Sequence, residues 1–313
     1  MAFYSPDAAM GQQLAAALLR LEAAGHPGLG ERLAITWLRY SRSRLPRADR
    51  SRSATAPAAV APGGAGWRSG VPQDPGGLER LAYLLACERW LQRDLLLDCG
   101  ELRGAMVAMA QRGSLEATSL VVDLLSGTTS GPRLPADRQR AWERQRQLVN
   151  DWLSSLHWPE LQGCNACQKL WHDGPYGRER DGFGADGSQA NRFSSDALAR
   201  LLDGVIAGTL ISPPAGQRLR LLLQRPLPAD RHKAMDPAPP DSLAAILPPG
   251  MPLWSLDDPA SRRRHGALYG EPPGQPPFLL VVLDRGDGGD PLLAALAEQL
   301  LAAAPADSDS PSD

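Results

Sequence analysis

The order of element types along this chain limits its fold more than any single motif does. Met10, Leu14, Leu18 and Leu21 recur at helical spacing. Ser5-Pro6-Asp7 precedes them as a start signal: a hydroxyl cap, a first-turn proline, then an acid at the positive end of the dipole. Gly25 and Pro27 end this helix, and Leu33 to Tyr40, rich in β-branched and aromatic residues, predicts a strand. Helical patterns follow over 77–93, 101–112, 114–125, 137–156, 194–207 and 213–223, interrupted by a Gly-rich irregular stretch over 157–192. After Pro226 the pattern changes to short strands at 252–255, 265–269 and 278–284, then an amphipathic helix over 291–303.

Strands supplied by both ends of a chain can pair into one antiparallel sheet, with the end helices covering a face. The expected architecture is α+β. Residues 1–40 and 226–304 form a sheet lobe, residues 77–225 an all-helical lobe, and a cleft lies between them. Residues 41–76, dominated by Arg, Ser, Ala, Pro and Gly, read as a flexible connection, and 305–313 as a disordered acidic tail.

Composition excludes several classes. A net charge of -2 gives no global attraction to nucleic acid or anionic lipid. Six arginines (Arg39, Arg42, Arg44, Arg47, Arg50, Arg52) crowd the start of the 41–76 segment and offer at most a weak local contact for an anion. No apolar run reaches the roughly 18 residues of a membrane span, and the N-terminus lacks a secretory pattern. Four cysteines are too few for a disulfide framework, so the expectation is a cytoplasmic protein with reduced thiols. No cofactor is implied, and the partner is an unspecified small ligand or protein.

Several stretches are similar to the class A β-lactamase-type serine hydrolases, in particular those found in cyanobacteria. They are Glu116-Ala117-Thr118-Ser119-Leu120-Val121-Val122-Asp123, Ser126-Gly127-Thr128-Thr129-Ser130-Gly131-Pro132, Asp173-Gly174-Pro175-Tyr176-Gly177-Arg178-Glu179-Arg180, and Asn191-Arg192-Phe193-Ser194-Ser195-Asp196-Ala197. The resemblance runs over about 77–284 and implies the two-lobe fold already expected.

It also implies three chemical elements. A Ser-x-x-Lys at a helix start puts nucleophile and amine one turn apart. A Ser-x-Asn relays a proton and holds substrate, and a Lys-x-Gly on an edge strand holds the substrate carboxylate. Aligned on Tyr83-Leu84, the first falls on Gly77 and Arg80: a residue with no nucleophilic atom and one that stays protonated. The second falls on Gly113 and Leu115, with Ser114 one residue out of register. The third falls on Leu256 and Asp258, where an acid would repel a carboxylate. Loss of the nucleophile alone costs on the order of 10⁶-fold in rate. The expectation is therefore a homologue without catalysis, serving as a binding or structural protein. The alternative is an active hydrolase of a β-lactam, peptide or ester with a substitute nucleophile such as Ser69 or Ser114. A serine hydroxyl within hydrogen-bond reach of a lysine amine at the cleft would overturn the alignment.

Cleft-lining candidates are Ser114, Trp171, Asp173, Tyr176 and Ser255. Cys164 and Cys167, with His157 and His172, have an imperfect zinc spacing and read as inert thiols, with no metal expected. Glu160, in Trp158-Pro159-Glu160-Leu161, invites comparison with the loop glutamate that activates water in class A enzymes, but reads as a surface glutamate. His265 reads as a packed or solvent-facing histidine.

Overall fold

Asp7, not Ser5, starts the first helix. In a computed structural model of the chain, the Asp7 carboxylate accepts the Met10 backbone N–H at 3.0 Å and caps α1 (Ala8–Ala23). Ser5–Pro6 is instead a two-residue strand, β1, whose Ser5 N–H donates to the Pro62 carbonyl at 2.9 Å. A carboxylate caps as well as a hydroxyl, which leaves Ser5 free to extend the sheet. The structure describes residues 3–46, 61–225, 247, 251–257, 265–286 and 292–302. The acidic tail, Asp258, Arg47, Arg50 and Arg52 lie outside them.

After α1 come a short turn of helix, α2 (Leu29–Arg32), and the strands β2 (Leu33–Arg39) and β3 (Gly63–Trp67). The helical block follows: α3 (Arg80–Leu91), α4 (Gly100–Arg112), α5 (Leu115–Ser126), α6 (Ala136–Arg146), α7 (Leu148–Ser154), α8 (Gly177–Phe183), α9 (Ser195–Ala207) and α10 (Pro213–Leu223). The strands β4 (Leu253–Asp257), β5 (Gly266–Gly270) and β6 (Phe278–Asp284) and the helix α11 (Leu292–Ala302) complete the order. The six strands form one sheet in the order β1-β3-β2-β6-β5-β4. All pairings are antiparallel except β1 with β3. This is the expected α+β arrangement.

Alternation along β2 and β6 divides the core. Leu33, Ile35, Trp37, Leu280 and Val282 face α1 and α11, while Ala34, Leu38, Leu279, Val281 and Leu283 face the helical block. Helix α9 crosses β2, β5 and β6 on that second face. Both faces of β6 are buried, which is why its sequence, Phe-Leu-Leu-Val-Val-Leu, shows no alternation.

Three expectations are corrected. Residues 63–67, read as part of a flexible connection, are β3. Apart from Trp67, its sequence, Gly-Gly-Ala-Gly-Trp, carries no strand propensity. A Cβ at Gly64 would lie 2.5 Å from Leu38 and 2.8 Å from Tyr4, so glycine lets the N-terminal segment lie across the strand. The helix expected over 137–156 breaks at Gln147 into α6 and α7. The helix expected from residue 77 begins at Arg80, because Gly76 and Gly77 hold left-handed backbone at φ 54 and 91.

Candidate functional site

Arg80 is the first residue of α3, and its side chain is fully buried. A helical side chain leans toward the helix N-terminus, so the guanidinium turns back over the preceding turn. Its Nε donates to the Gly77 carbonyl at 2.6 Å, and its Nη2 crosses to β4 and donates to the Asp257 carbonyl at 2.9 Å. Behind it, Gly76 lies against the His265 imidazole: a Cβ at Gly76 would sit 1.8 Å from the ring. His265 Nδ1 accepts the Asp284 N–H at 3.2 Å, which puts the ring proton of neutral His265 on Nε2.

A second, half-buried cation completes the corner. Arg225, just past α10, donates from Nε to Ser255 Oγ at 3.0 Å and from Nη2 to the Ala110 carbonyl of α4 at 3.3 Å. Burial pulls its pKa down, the Asp257 carboxylate opposes that, and the charge on Arg80 adds to it. The two arginines tie the 77–80 turn and the end of α4 to β4. Three segments far apart in sequence therefore meet at one corner.

The residues singled out from the sequence divide around this corner. Gly77 and Arg80 form one wall. Gly113, buried with φ 64, caps α4, and Leu115 opens α5. Leu256 is fully buried within the core on the helical side of β4. Ser114 is the N-cap of α5, accepting the Ala117 N–H at 3.1 Å and donating to Glu116 at 3.0 Å. Ser255 does not line an open cleft: it has no exposed surface, and its hydroxyl is held between Arg225 and Asp257. Trp171 and Tyr176 pack edge to face at 6.4 Å, Asp173 is exposed, and Tyr176 is 58 % exposed. Among the described residues, none of these three hydrogen-bonds to Arg80, Arg225 or Ser255.

The nucleophile alternatives are accounted for separately. Ser69 Oγ donates to Asp196 at 2.9 Å beside β3, four strand spacings, or about 19 Å, from β4. It is therefore not at the corner. A serine–lysine contact does exist, at Ser130. Lys169 Nζ lies 2.7 Å from Ser130 Oγ, 2.6 Å from Asp123 and 3.6 Å from Glu179. Arg146 bridges the same two acids at 2.9 and 2.5 Å. An ammonium donating into an ion pair has no lone pair with which to take a proton, and Ser130 itself donates to Glu179 at 2.8 Å. Asp123 is nine residues beyond Ser114 on α5, about 13 Å along the axis. The bonds of Lys169 go to Asp123, Glu179 and Ser130.

Two features were missed. Glu79 is buried beside Arg80, and its Oε1 accepts Asn191 Nδ2 at 3.0 Å. Burial pushes its carboxyl up from 4.5 to about 7, more than its own backbone N–H, Arg80 and Asn191 pull it down. Asn191 also accepts the N–H groups of Cys167 and Gln168, at 3.1 and 2.9 Å, so it fastens the 165–192 loop to α3. The available signal was a glutamate inside Leu78-Glu79-Arg80-Leu81, at the start of a helix rich in apolar residues. The second missed feature is the lysine count: the chain has two, Lys169 and Lys233, and neither follows a serine by three residues.

The remaining candidates are local. Glu160 is partly exposed and pairs with Arg200, which stacks over Trp158 at 4.2 Å. Cys164 and Cys167 are free, with Sγ atoms on different carbonyls, and burial raises both thiol pKa values. Among the described residues no group of three His, Cys, Asp or Glu is placed to hold a metal. Arg44 makes a two-pronged contact with Asp203 at 2.8 and 2.7 Å, and Arg39 stacks on Trp37, so both are engaged within the fold. Arg42 is exposed. Among the described residues no helix is long and apolar enough to cross a membrane.

No protein-family model and no curated relative matches the chain. Solved structures do. PBP-A is 12% identical, with TM-score 0.58, covering 97% of this chain and 98% of its own. A β-lactamase from Sphaerobacter thermophilus is 14% identical, TM-score 0.58, covering 93% and 95%. An ancestral class A β-lactamase is 14% identical, TM-score 0.58, covering 94% and 99%. At this identity the likeness establishes the fold: this chain has the class A β-lactamase architecture.

Proposed function

We propose that this chain uses the class A β-lactamase fold without its hydrolytic chemistry, as a binding or structural protein. The observation that carries this reading is the position of the Arg80 guanidinium. It lies between the Gly77 and Asp257 carbonyls, where the resemblance puts a catalytic amine. A guanidinium is a permanent cation and cannot take a proton from a nucleophile. The residue one turn before it, Gly77, has no side-chain atom to activate. At the other two loci, Leu115 and Leu256 offer no donor to a substrate carboxylate or amide. With Lys169 committed to Asp123 and Glu179, a chain of two lysines cannot fill both of the lysine positions that the family chemistry needs.

Incubation with a fluorescent penicillin and with a broad fluorophosphonate, followed by intact-mass measurement, tests the reading. The expected result is no adduct. A stoichiometric adduct abolished by replacing one serine would refute it. Ser130, with an amine at 2.7 Å, is the first serine to replace.

A further inference from the structure

A pocket of about 550 Å³ opens between α6 and the segment that carries α8. Its inner wall holds Arg146 and Gln168, each 3% exposed. The Arg146 guanidinium is fixed in place. Its Nη2 donates to Asp123 and Glu179, and it lies over the Trp142 ring at 4.6 Å. Trp142 is held in turn: its Nε1 donates to the Thr129 carbonyl at 3.1 Å, and a Cβ at Gly182 of α8 would lie 2.6 Å from the ring. Arg146 Nε and Nη1 are buried and bond to no group among the described residues, and neither does Gln168 Oε1. The wall therefore presents two unmet donors and one unmet acceptor in a rigid setting. Native interiors seldom leave such groups unpaired.

The mouth carries the charge. Arg140 and Arg144 line the pocket, are exposed, and sit one turn apart on α6, where like charges repel. Neither side chain has a partner among the described residues. The two acids of the lining are engaged: Asp181 pairs with Arg133 at 3.3 Å, and Glu143 accepts Gln139 Nε2 at 2.9 Å. A pair of guanidiniums suits a phosphate, whose oxygens accept several N–H groups at once. The inner wall calls for a group that both donates and accepts, as a hydroxyl does. We propose that this pocket binds a small phosphorylated polyol or sugar, with its phosphate on Arg140 and Arg144 and its hydroxyls toward Arg146 and Gln168. The volume lies within the range of small-molecule sites. None of these residues belongs to the corner built by Arg80 and Arg225, so the site does not depend on whether the chain hydrolyses anything.

Isothermal titration calorimetry of the full chain with ribose-5-phosphate and glycerol-3-phosphate tests it, with free ribose and inorganic phosphate as the separate halves. At least one phosphorylated probe should bind at least about tenfold more tightly than either half. Arg140→Gln/Arg144→Gln, at two exposed positions, should weaken that binding at least about tenfold, through loss of charge-assisted bonds. Arg138→Gln, exposed on the same helix but outside the pocket lining, should leave it unchanged. Thermal melts confirm that each variant is folded. No binding of either phosphorylated probe up to about 10 mM overturns the proposal. So does inorganic phosphate binding as tightly as the phosphorylated probes. Binding that survives the double replacement, or that Arg138→Gln weakens equally, overturns it too.

Discussion

Arg80 Nη2 donates to the backbone carbonyl of Asp257 at 2.9 Å, joining the start of α3 to the edge strand β4 across 177 positions of sequence. The side chain is fully buried, so the contact is part of the core. Arg80→Ala should destabilise the chain by about 2–4 kcal/mol, through two orphaned carbonyls and a void. Arg80→Lys keeps a charge but loses the planar fork and should recover only part of that. Chemical denaturation measures both. The double replacement Gly77→Ser/Arg80→Lys should still give no hydrolysis of a chromogenic β-lactam, since Leu115 and Leu256 remain and position 77 has φ 91.

Gly76 is fixed by the ring it touches. A Cβ there would lie 1.8 Å from His265, on backbone with φ 54. Gly76→Ala should therefore cost about 2–4 kcal/mol. Gly70→Ala, where a Cβ meets nothing within 4 Å, should be close to neutral. A pair of thermal melts separates the two.

Glu79 makes stability depend on pH. Its carboxyl rises from 4.5 to about 7 in the folded chain, chiefly through burial. The folded state then holds the proton more tightly than the unfolded state. This contribution is fully present below 4.5, falls as pH rises to about 7, and is constant above that. Glu79→Gln, which keeps an oxygen for Asn191, should remove up to about 3 kcal/mol of that decline. Urea denaturation at pH 5 and pH 8 reads it: an unchanged slope in the variant would contradict the assignment.

Glu179 is fully buried and receives Arg146, Lys169 and Ser130. Glu179→Gln leaves two buried cations sharing Asp123 alone. A loss of about 3–5 kcal/mol is expected. Limited proteolysis should then cut more readily within 165–192, the loop that carries Lys169 and Glu179. Ser130→Ala, which leaves the ion pairs in place, should cost less.

The sequence by itself determined the order of elements, because hydrophobic period is a local property. The 3.6-residue repeat of Met10, Leu14, Leu18 and Leu21 and the apolar run of 278–284 each report which surface must be hidden. It also determined which atoms are missing, since Gly77 and Leu256 lack functional groups whatever surrounds them. Tertiary structure decided what replaced them. Nothing local says that Arg80 reaches Asp257, that Arg225 links Ser255 to Ala110, or that Gly76 makes room for His265. Each depends on strands and helices brought together from opposite ends of the chain. The same holds for β3, where Leu38 of β2 and Tyr4 leave no room for a side chain at Gly64. Glu79 is the clearest case: a glutamate near a helix start reads as solvated, and only the packing of Asn191 and the 165–192 loop over α3 buries it.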